Sequence, residues 1–203
     1  MTHVDKNHHI GICLYLQTYN EQSMYRVNEI CKILSSVLES LSKESTLEIL
    51  NSNTSSPLNM VRQLLGHMHT VSSSLISLSR SLQRLLKKPG YLLPLCHMRH
   101  HLSKISVLTS RFAATLDELR TTCPNIVVNL QCLKTPTLSL VSLLNLLDLS
   151  VKVLDSDMLV IYRNVSELYT QSMDCLLMND FPNLERHIMR IQHSLYPSLK
   201  NHF

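Results

Sequence analysis

The sequence predicts an all-α protein: an elongated antiparallel helical bundle or coiled coil with four main helices and a short C-terminal helix. Four stretches of the 203-residue chain carry apolar residues at alternating steps of three and four, the spacing of one face of a helix that packs on another helix. The chain has only three glycines and no tryptophan, and 44% of it is hydrophobic. This composition favours long helices with few tight turns and is sufficient to bury a core.

The first helix is predicted to run from about residue 19 to residue 50. Thr18 and Glu21 have the spacing of a capping box, in which a hydroxyl and a carboxylate satisfy the first free amides of a helix. Residues 1–18 are then expected to be a flexible N-terminus, and residues 19–178 to form the helical bundle. The apolar positions of the first helix are Met24, Val27, Cys31, Leu34, Leu38 and Leu41.

The second helix is predicted over residues 57–88. Ser56 followed by Pro57 is typical of an N-cap with proline in the first turn, and Pro89 with Gly90 prevents continuation. We call its apolar stripe the α2 seam: Val61, Leu64, Met68, Val71, Leu75, Leu78, Leu82 and Leu85. A short loop at residues 89–94 is expected to fold the next helix back against this one.

The third helix is predicted to start near Pro94 and to end before Pro124. Thr135 and Pro136 repeat the cap-and-proline pattern, so a fourth helix is expected over residues 137–178. The polar run that ends in Pro182 predicts a break, followed by a short C-terminal helix and tail in residues 179–203.

The fourth helix is apolar on two sides. We call its main stripe the α4 seam: Leu140, Leu144, Leu147, Val151, Leu154, Met158 and Ile161. A second apolar face comprises Leu138, Val141, Leu143, Leu146, Leu149, Val153 and Val160. Because a helix with two apolar faces must be covered twice, we predict that both seams form interfaces with helices of partner chains.

The most hydrophobic segment, Leu138 to Leu154, is not expected to span a membrane. Asn145, Asp148 and Lys152 interrupt it within fewer than the ~20 residues that a bilayer crossing needs. The polar start of the chain has no apolar core of a signal peptide. The six cysteines lack paired short spacings and are therefore expected to be reduced.

Positive charge is concentrated in the middle of the chain. The formal net charge is only +4, but no Asp or Glu occurs between Glu48 and Asp117. We call the four cations at helical spacing in this region the basic surface: Arg80, Arg84, Lys87 and Lys88. Such a stripe could meet nucleic acid, an acidic polymer surface or the acidic flank of a helix, or simply be solvated. Stacking aromatics are nearly absent nearby, which disfavours nucleic acid.

Reactive side chains are few. The run Cys96 to His101 places Cys96 with His100, and His97 with His101, four residues apart, but no second half of a metal site is visible. We interpret it as a solvated polar stretch. The carboxylates of Asp155 and Asp157 are two residues apart and should diverge on a helix. No nucleophile elbow or phosphate loop occurs, so we predict no enzyme activity, no cofactor and no small-molecule substrate.

The middle of the chain resembles the second subunit of the augmin (HAUS) complex. The resemblance lies in SLQRLLKKPGYLLP at 81–94 and LDELRTTCPNIVVNL at 116–130, and it extends over about residues 80–155. Gly90, Tyr91 and the Cys96 to His101 run depart from the family pattern. The positions that match best are Arg84, Leu85, Leu86, Lys87, Pro89, Leu93, Pro94, Pro124, Asn129 and Leu130.

The resemblance implies a non-catalytic subunit of a hetero-oligomer of coiled-coil chains. Augmin binds spindle microtubules and recruits the γ-tubulin ring complex for branching nucleation in mitosis, so the implied location is the cytoplasm, at the spindle and centrosome. Contact with microtubules and with the ring complex would be indirect. From the residues alone, a self-sufficient helical-bundle adaptor or tethering protein with a basic binding surface remains an open alternative.

Overall fold

The part of the chain that the structure describes folds into four helices and two short strands. The computed structural model describes residues 3–44, 56–130 and 137–199. The helices are α1 (His3–Glu44), α2 (Pro57–Lys87), α3 (Leu92–Thr122) and α4 (Leu140–Leu199), and the strands are β1 (Val127–Asn129) and β2 (Thr137–Ser139). The prediction of a mostly helical protein is confirmed.

The four helices pack in a ring, because α1 contacts α2, α2 contacts α3, α3 contacts α4, and α4 contacts α1. Their apolar stripes meet along the centre of this ring, as expected when each helix has one face that must leave water. Among the described residues, Phe112 of α3 is the largest fully buried side chain, and it belongs to the same hydrophobic core as the leucines of the other helices.

Helix α2 begins and ends close to the predicted residues. The Ser56 hydroxyl accepts a hydrogen bond from the amide of Asn59 at 3.3 Å, and Pro57 occupies the first turn. The helix ends at Lys87, and Gly90 has a φ of 77°, a conformation that glycine adopts without strain. The turn to α3 is therefore shorter than the predicted loop at 89–94, and Pro94 lies inside α3.

Helix α1 starts earlier than predicted. It begins at His3, so the expectation of a flexible segment 1–18 is wrong for the described residues 3–18. Thr18 is not a cap, because its hydroxyl donates within the helix to the Leu14 carbonyl oxygen at 3.4 Å. The physical reason is that Cys13 and Leu16 extend the buried stripe upstream. The helix ends at Glu44, and the predicted stretch from 45 to 50 lies outside the described residues.

Helix α4 is a single helix of 60 residues. The predicted break before Pro182, and with it a separate C-terminal helix, is absent from the described structure. Proline removes one backbone hydrogen bond and crowds the preceding turn, but the turns on either side keep the helix continuous. The proposed cap at Thr135 and Pro136 lies outside the described residues, and α4 begins at Leu140.

A two-stranded ribbon connects α3 to α4. The strands are antiparallel, with Val127 opposite Ser139 and Val128 opposite Leu138. The ribbon leads directly into α4, because the Leu140 amide donates to the Ile126 carbonyl oxygen at 2.8 Å. The sequence analysis predicted no strand here, although three consecutive β-branched residues, 126 to 128, are typical of one.

Candidate functional site: the outer surfaces of the bundle

The α2 seam is buried inside the chain's own bundle. Its eight members all have no exposed surface, and they pack with residues of the neighbouring helices. The α4 seam is likewise buried, with Met158 the most exposed member at 6%. The structure therefore places both predicted partner interfaces in an intramolecular core, because the three other helices of the same chain already cover these stripes.

The second apolar face of α4 is only partly covered. Leu143 is buried, and Leu138, Val141 and Val160 are half-buried. The remaining three members, which we call the outer α4 patch, are exposed: Leu146 at 46%, Leu149 at 60% and Val153 at 37%. Residues 146, 149 and 153 recur at steps of three and four, so they share one side of the helix. This patch is one of the apolar surfaces that the described part of the chain leaves in water.

The basic surface is exposed along α2 and its C-terminal turn. All four of its cations are in contact with solvent, and the ammonium group of Lys88 lies 4.8 Å from the centre of the Tyr91 ring. The adjacent α3 contributes further cations on its outer side, including Lys104 and Arg111. Neither α2 nor α3 carries an acidic residue before Asp117, so the outer faces of these two helices contribute positive charge and no negative charge up to that residue.

The Cys96 to His101 run lies in the second and third turns of α3. Cys96, His97 and His100 are exposed, and the rings of His100 and His101 meet edge to face at 5.6 Å. Burial lowers the pKa of His101, and its neighbours His100 and Lys104 lower it further. Within the described residues, no group of three or more His, Cys, Asp or Glu side chains is arranged to hold a metal ion.

The carboxylates of Asp155 and Asp157 diverge, as predicted. Asp157 points to α1, where it lies 3.9 Å from the guanidinium group of Arg26. Asp155 lies on the α3 side beside Thr109, whose hydroxyl donates to the Ser106 carbonyl oxygen at 3.1 Å. Burial raises the pKa of both carboxyl groups, more than the nearby Arg26 or Thr109 lowers it. Two carboxylates aimed at different helices cannot act on one substrate.

The sequence analysis missed a groove between the outer faces of α3 and α4, which we call the α3–α4 groove. Its volume is about 700 Å³. Val107, Leu159 and Tyr162 line it and are 49%, 48% and 42% exposed, and the buried Leu102 and Met158 also line it. The sequence contained one signal for this groove. Leu159 and Tyr162 directly follow residues of the α4 seam or its continuation, and so they widen the apolar stripe of α4 on one side.

None of the described helices is both long and apolar enough to cross a membrane. Comparison of the chain with protein-family models, with curated proteins and with solved structures finds no match. The surfaces described above are therefore the features from which a function is argued.

Proposed function

We propose that this protein is a non-catalytic structural subunit of a multi-protein helical assembly. The outer α4 patch is the observation that carries the proposal, because contiguous exposed apolar side chains are typical of a surface that another protein covers. The patch also accounts for the part of the second apolar face of α4 that the chain's own helices leave uncovered.

The shape suits such a role. We propose an elongated antiparallel bundle, and contacts in opposite chain order support it: Arg99 stacks on Tyr169, and Arg120, further along α3, meets Asp148, earlier in α4. Sixty residues make α4 about 90 Å long. Residues 171–175 are level with the turn between α2 and α3, so roughly the last 24 residues of α4, about 36 Å, lie beyond it.

The assembly we propose is augmin, with this chain as its second subunit. Support comes from the resemblance at 81–94 and 116–130, which falls on the α2–α3 turn and on the path from α3 into β1. The exposed basic surface adds to it, since a positive face is suited to a complex that works on acidic microtubules. The chain would act at the spindle and centrosome and recruit the γ-tubulin ring complex through its partner subunits.

The experiment is co-assembly. The full-length chain would be expressed with the other augmin subunits of its own organism, and the complex would be isolated through a tag on one of those subunits. We expect the chain to co-purify in equal amount, and cross-linking mass spectrometry to join the outer α4 patch to a partner.

A charge variant tests the patch directly. Leu149→Glu should reduce co-purification, because a carboxylate would be buried without a partner at the interface. Ser77→Glu, on the far side of the bundle, is the matched control and should leave assembly unchanged. A chain that never co-purifies with augmin subunits would refute the augmin assignment.

The second candidate is a self-sufficient helical-bundle adaptor or tethering protein with a basic binding surface. It is favoured by the burial of both seams within one chain, which gives the bundle its own core. Size-exclusion chromatography with light scattering separates the two candidates. A monomer that unfolds cooperatively would support the adaptor. Self-association that is abolished by Leu149→Glu would support the structural subunit, whose outer α4 patch is buried against a partner.

A further inference from the structure

The α3–α4 groove is a second apolar surface, separate from the outer α4 patch. Asp155 and Asp157 mark the two sides of α4: the first faces α3 and the second faces α1. Leu159 and Tyr162 lie on the α3 side with Asp155, and with Val107 they form an exposed apolar border above a buried floor. Each of these three side chains is nearly half exposed. The groove can therefore bind a ligand that has one apolar side.

The length and shape of the groove are suited to binding a helix. Along α3 it extends from Arg99 to Ser110, about 16 Å or three helical turns. Ser103, Ser106 and Ser110 follow steps of three and four on this border, and their small side chains keep that ridge low. A helix laid between α3 and α4 could therefore approach closely over three of its own turns.

The charge of the groove indicates which kind of helix fits. Asp148 and Asp157 on α4 each form ion pairs with neighbouring cations. Asp155, which lines the groove beside the neutral hydroxyl of Thr109, has no ion pair among the described residues. Asp155 remains exposed to solvent, and partial burial raises the pKa of its carboxyl group.

We propose that the α3–α4 groove binds one amphipathic helix of another protein, which packs apolar side chains on Val107, Leu159 and Tyr162 and places a Lys or Arg beside Asp155. The proposal rests on the proposed role as a structural subunit and adds the chemistry of one partner. Arg99, the cation that lines the same groove, lies over the Tyr169 ring at 4.7 Å, whereas Asp155 provides the counter-charge for a basic residue in a helical partner.

The test uses two designed helical peptides of about five turns as probes. Both carry leucines at steps of three and four, and they differ at one central position, which is Lys in the first and Glu in the second. Binding to the full-length chain is measured by fluorescence anisotropy at pH 8. We expect the Lys peptide to bind about tenfold more tightly than the Glu peptide, and Asp155→Lys to reverse this order.

Two leucine variants localise the binding. Leu159→Ser should weaken both peptides about tenfold, whereas Leu14→Ser, which removes a leucine that is 52% exposed on α1, should leave both unchanged. Circular dichroism of each variant confirms that it is folded. Equal losses for the two leucine variants, or a preference for the Lys peptide that survives Asp155→Lys, would overturn the proposal.

A vesicle-binding measurement tests whether the groove binds a membrane instead. Binding to neutral or anionic phospholipid vesicles that Leu159→Ser abolishes would overturn the proposal in favour of a lipid surface. No augmin subunit takes part in these measurements. Failure of the peptide test therefore leaves the augmin assignment intact, and failure of co-assembly with augmin leaves the groove open to a helix of another protein.

Discussion

The side-chain amide nitrogen of Asn20 donates a hydrogen bond to the backbone carbonyl oxygen of Leu75 at 3.1 Å. Asn20 has no exposed surface, so this contact joins α1 to α2 inside the core. A single buried amide among apolar neighbours penalises any register in which it loses its partner. The contact thereby fixes how α1 lies along α2.

Removal of this amide should destabilise the protein. For Asn20→Ala we expect the free energy of unfolding to fall by about 1 to 3 kcal/mol, because a buried hydrogen bond is lost and a small cavity remains. Urea denaturation of the isolated chain measures the change. Asn145→Ala, at an exposed position of α4, is the control and should stay within about 0.5 kcal/mol of the wild type. An equal effect of both variants would contradict a structural role for the amide.

Burial of the α2 seam predicts a difference between two leucine truncations. Leu78→Ala should lower the free energy of unfolding by about 2 to 5 kcal/mol, because Leu78 has no exposed surface and its loss leaves a cavity. Leu149→Ala, at a leucine that is 60% exposed, should cost far less. Thermal unfolding followed by circular dichroism compares them. A negligible effect of Leu78→Ala would indicate that the seam is not buried in the isolated chain.

The two candidate N-caps predict opposite results. Ser56→Ala should cost about 1 kcal/mol of stability, because the Ser56 hydroxyl satisfies the free amide of Asn59 at the start of α2. Thr18→Ala should be neutral or slightly stabilising, since Thr18 lies inside α1 and alanine is the better helix former. Chemical denaturation of the two variants decides the point. A marked loss for Thr18→Ala would favour a helix that starts there.

Histidines between α2 and α3 predict a loss of stability in mild acid. Burial lowers the pKa of His67 and of His101 below the value of 6.5, and nearby positive charges such as Arg111 add to the effect. The unfolded chain then binds more protons than the folded chain as the pH falls below about 6.5, so the free energy of unfolding decreases. Denaturation at pH 7.5 and at pH 6 measures this.

The double variant His67→Gln, His101→Gln should show a smaller decrease between these two pH values. Changing His69, which is exposed, to Gln is the matched control and should leave the pH dependence as it is in the wild type. The raised pKa values of Asp155 and Asp157 act in the opposite direction, because those carboxyl groups take up protons more readily in the folded state. A double variant with an unchanged pH profile would refute this assignment.

Thiol reactivity should separate two of the cysteines. Cys13 is fully buried, and burial raises its pKa to about 11, whereas Cys96 is exposed on α3. Because the thiolate is the reactive form, iodoacetamide at pH 8 should label Cys96 first and Cys13 only after unfolding. Mass spectrometry of digested samples with and without urea measures both rates. Equal labelling in the folded chain would place Cys13 outside the core.

Some elements of the structure could be predicted from the sequence and others could not. Helix α2 could be predicted almost to the residue, since Ser56, Pro57 and Gly90 are local signals whose chemistry does not depend on the rest of the fold. The start of α1 could not, because Asn20 and Ser23 are polar residues that lie in the core and so interrupt the apolar pattern. The α3–α4 groove requires two helices to be side by side, and no spacing within one helix reveals it.

The sequence by itself determined the helical period, the first turn of α2 and the absence of acidic residues from residue 49 to residue 116. The tertiary structure decided which apolar stripes face each other. Both seams are covered by the neighbouring helices of the same chain, and the outer α4 patch and the groove remain in water. The physical reason is that the spacing of apolar residues shows which face of a helix must be buried. Only the packing of the helices determines which residues cover that face.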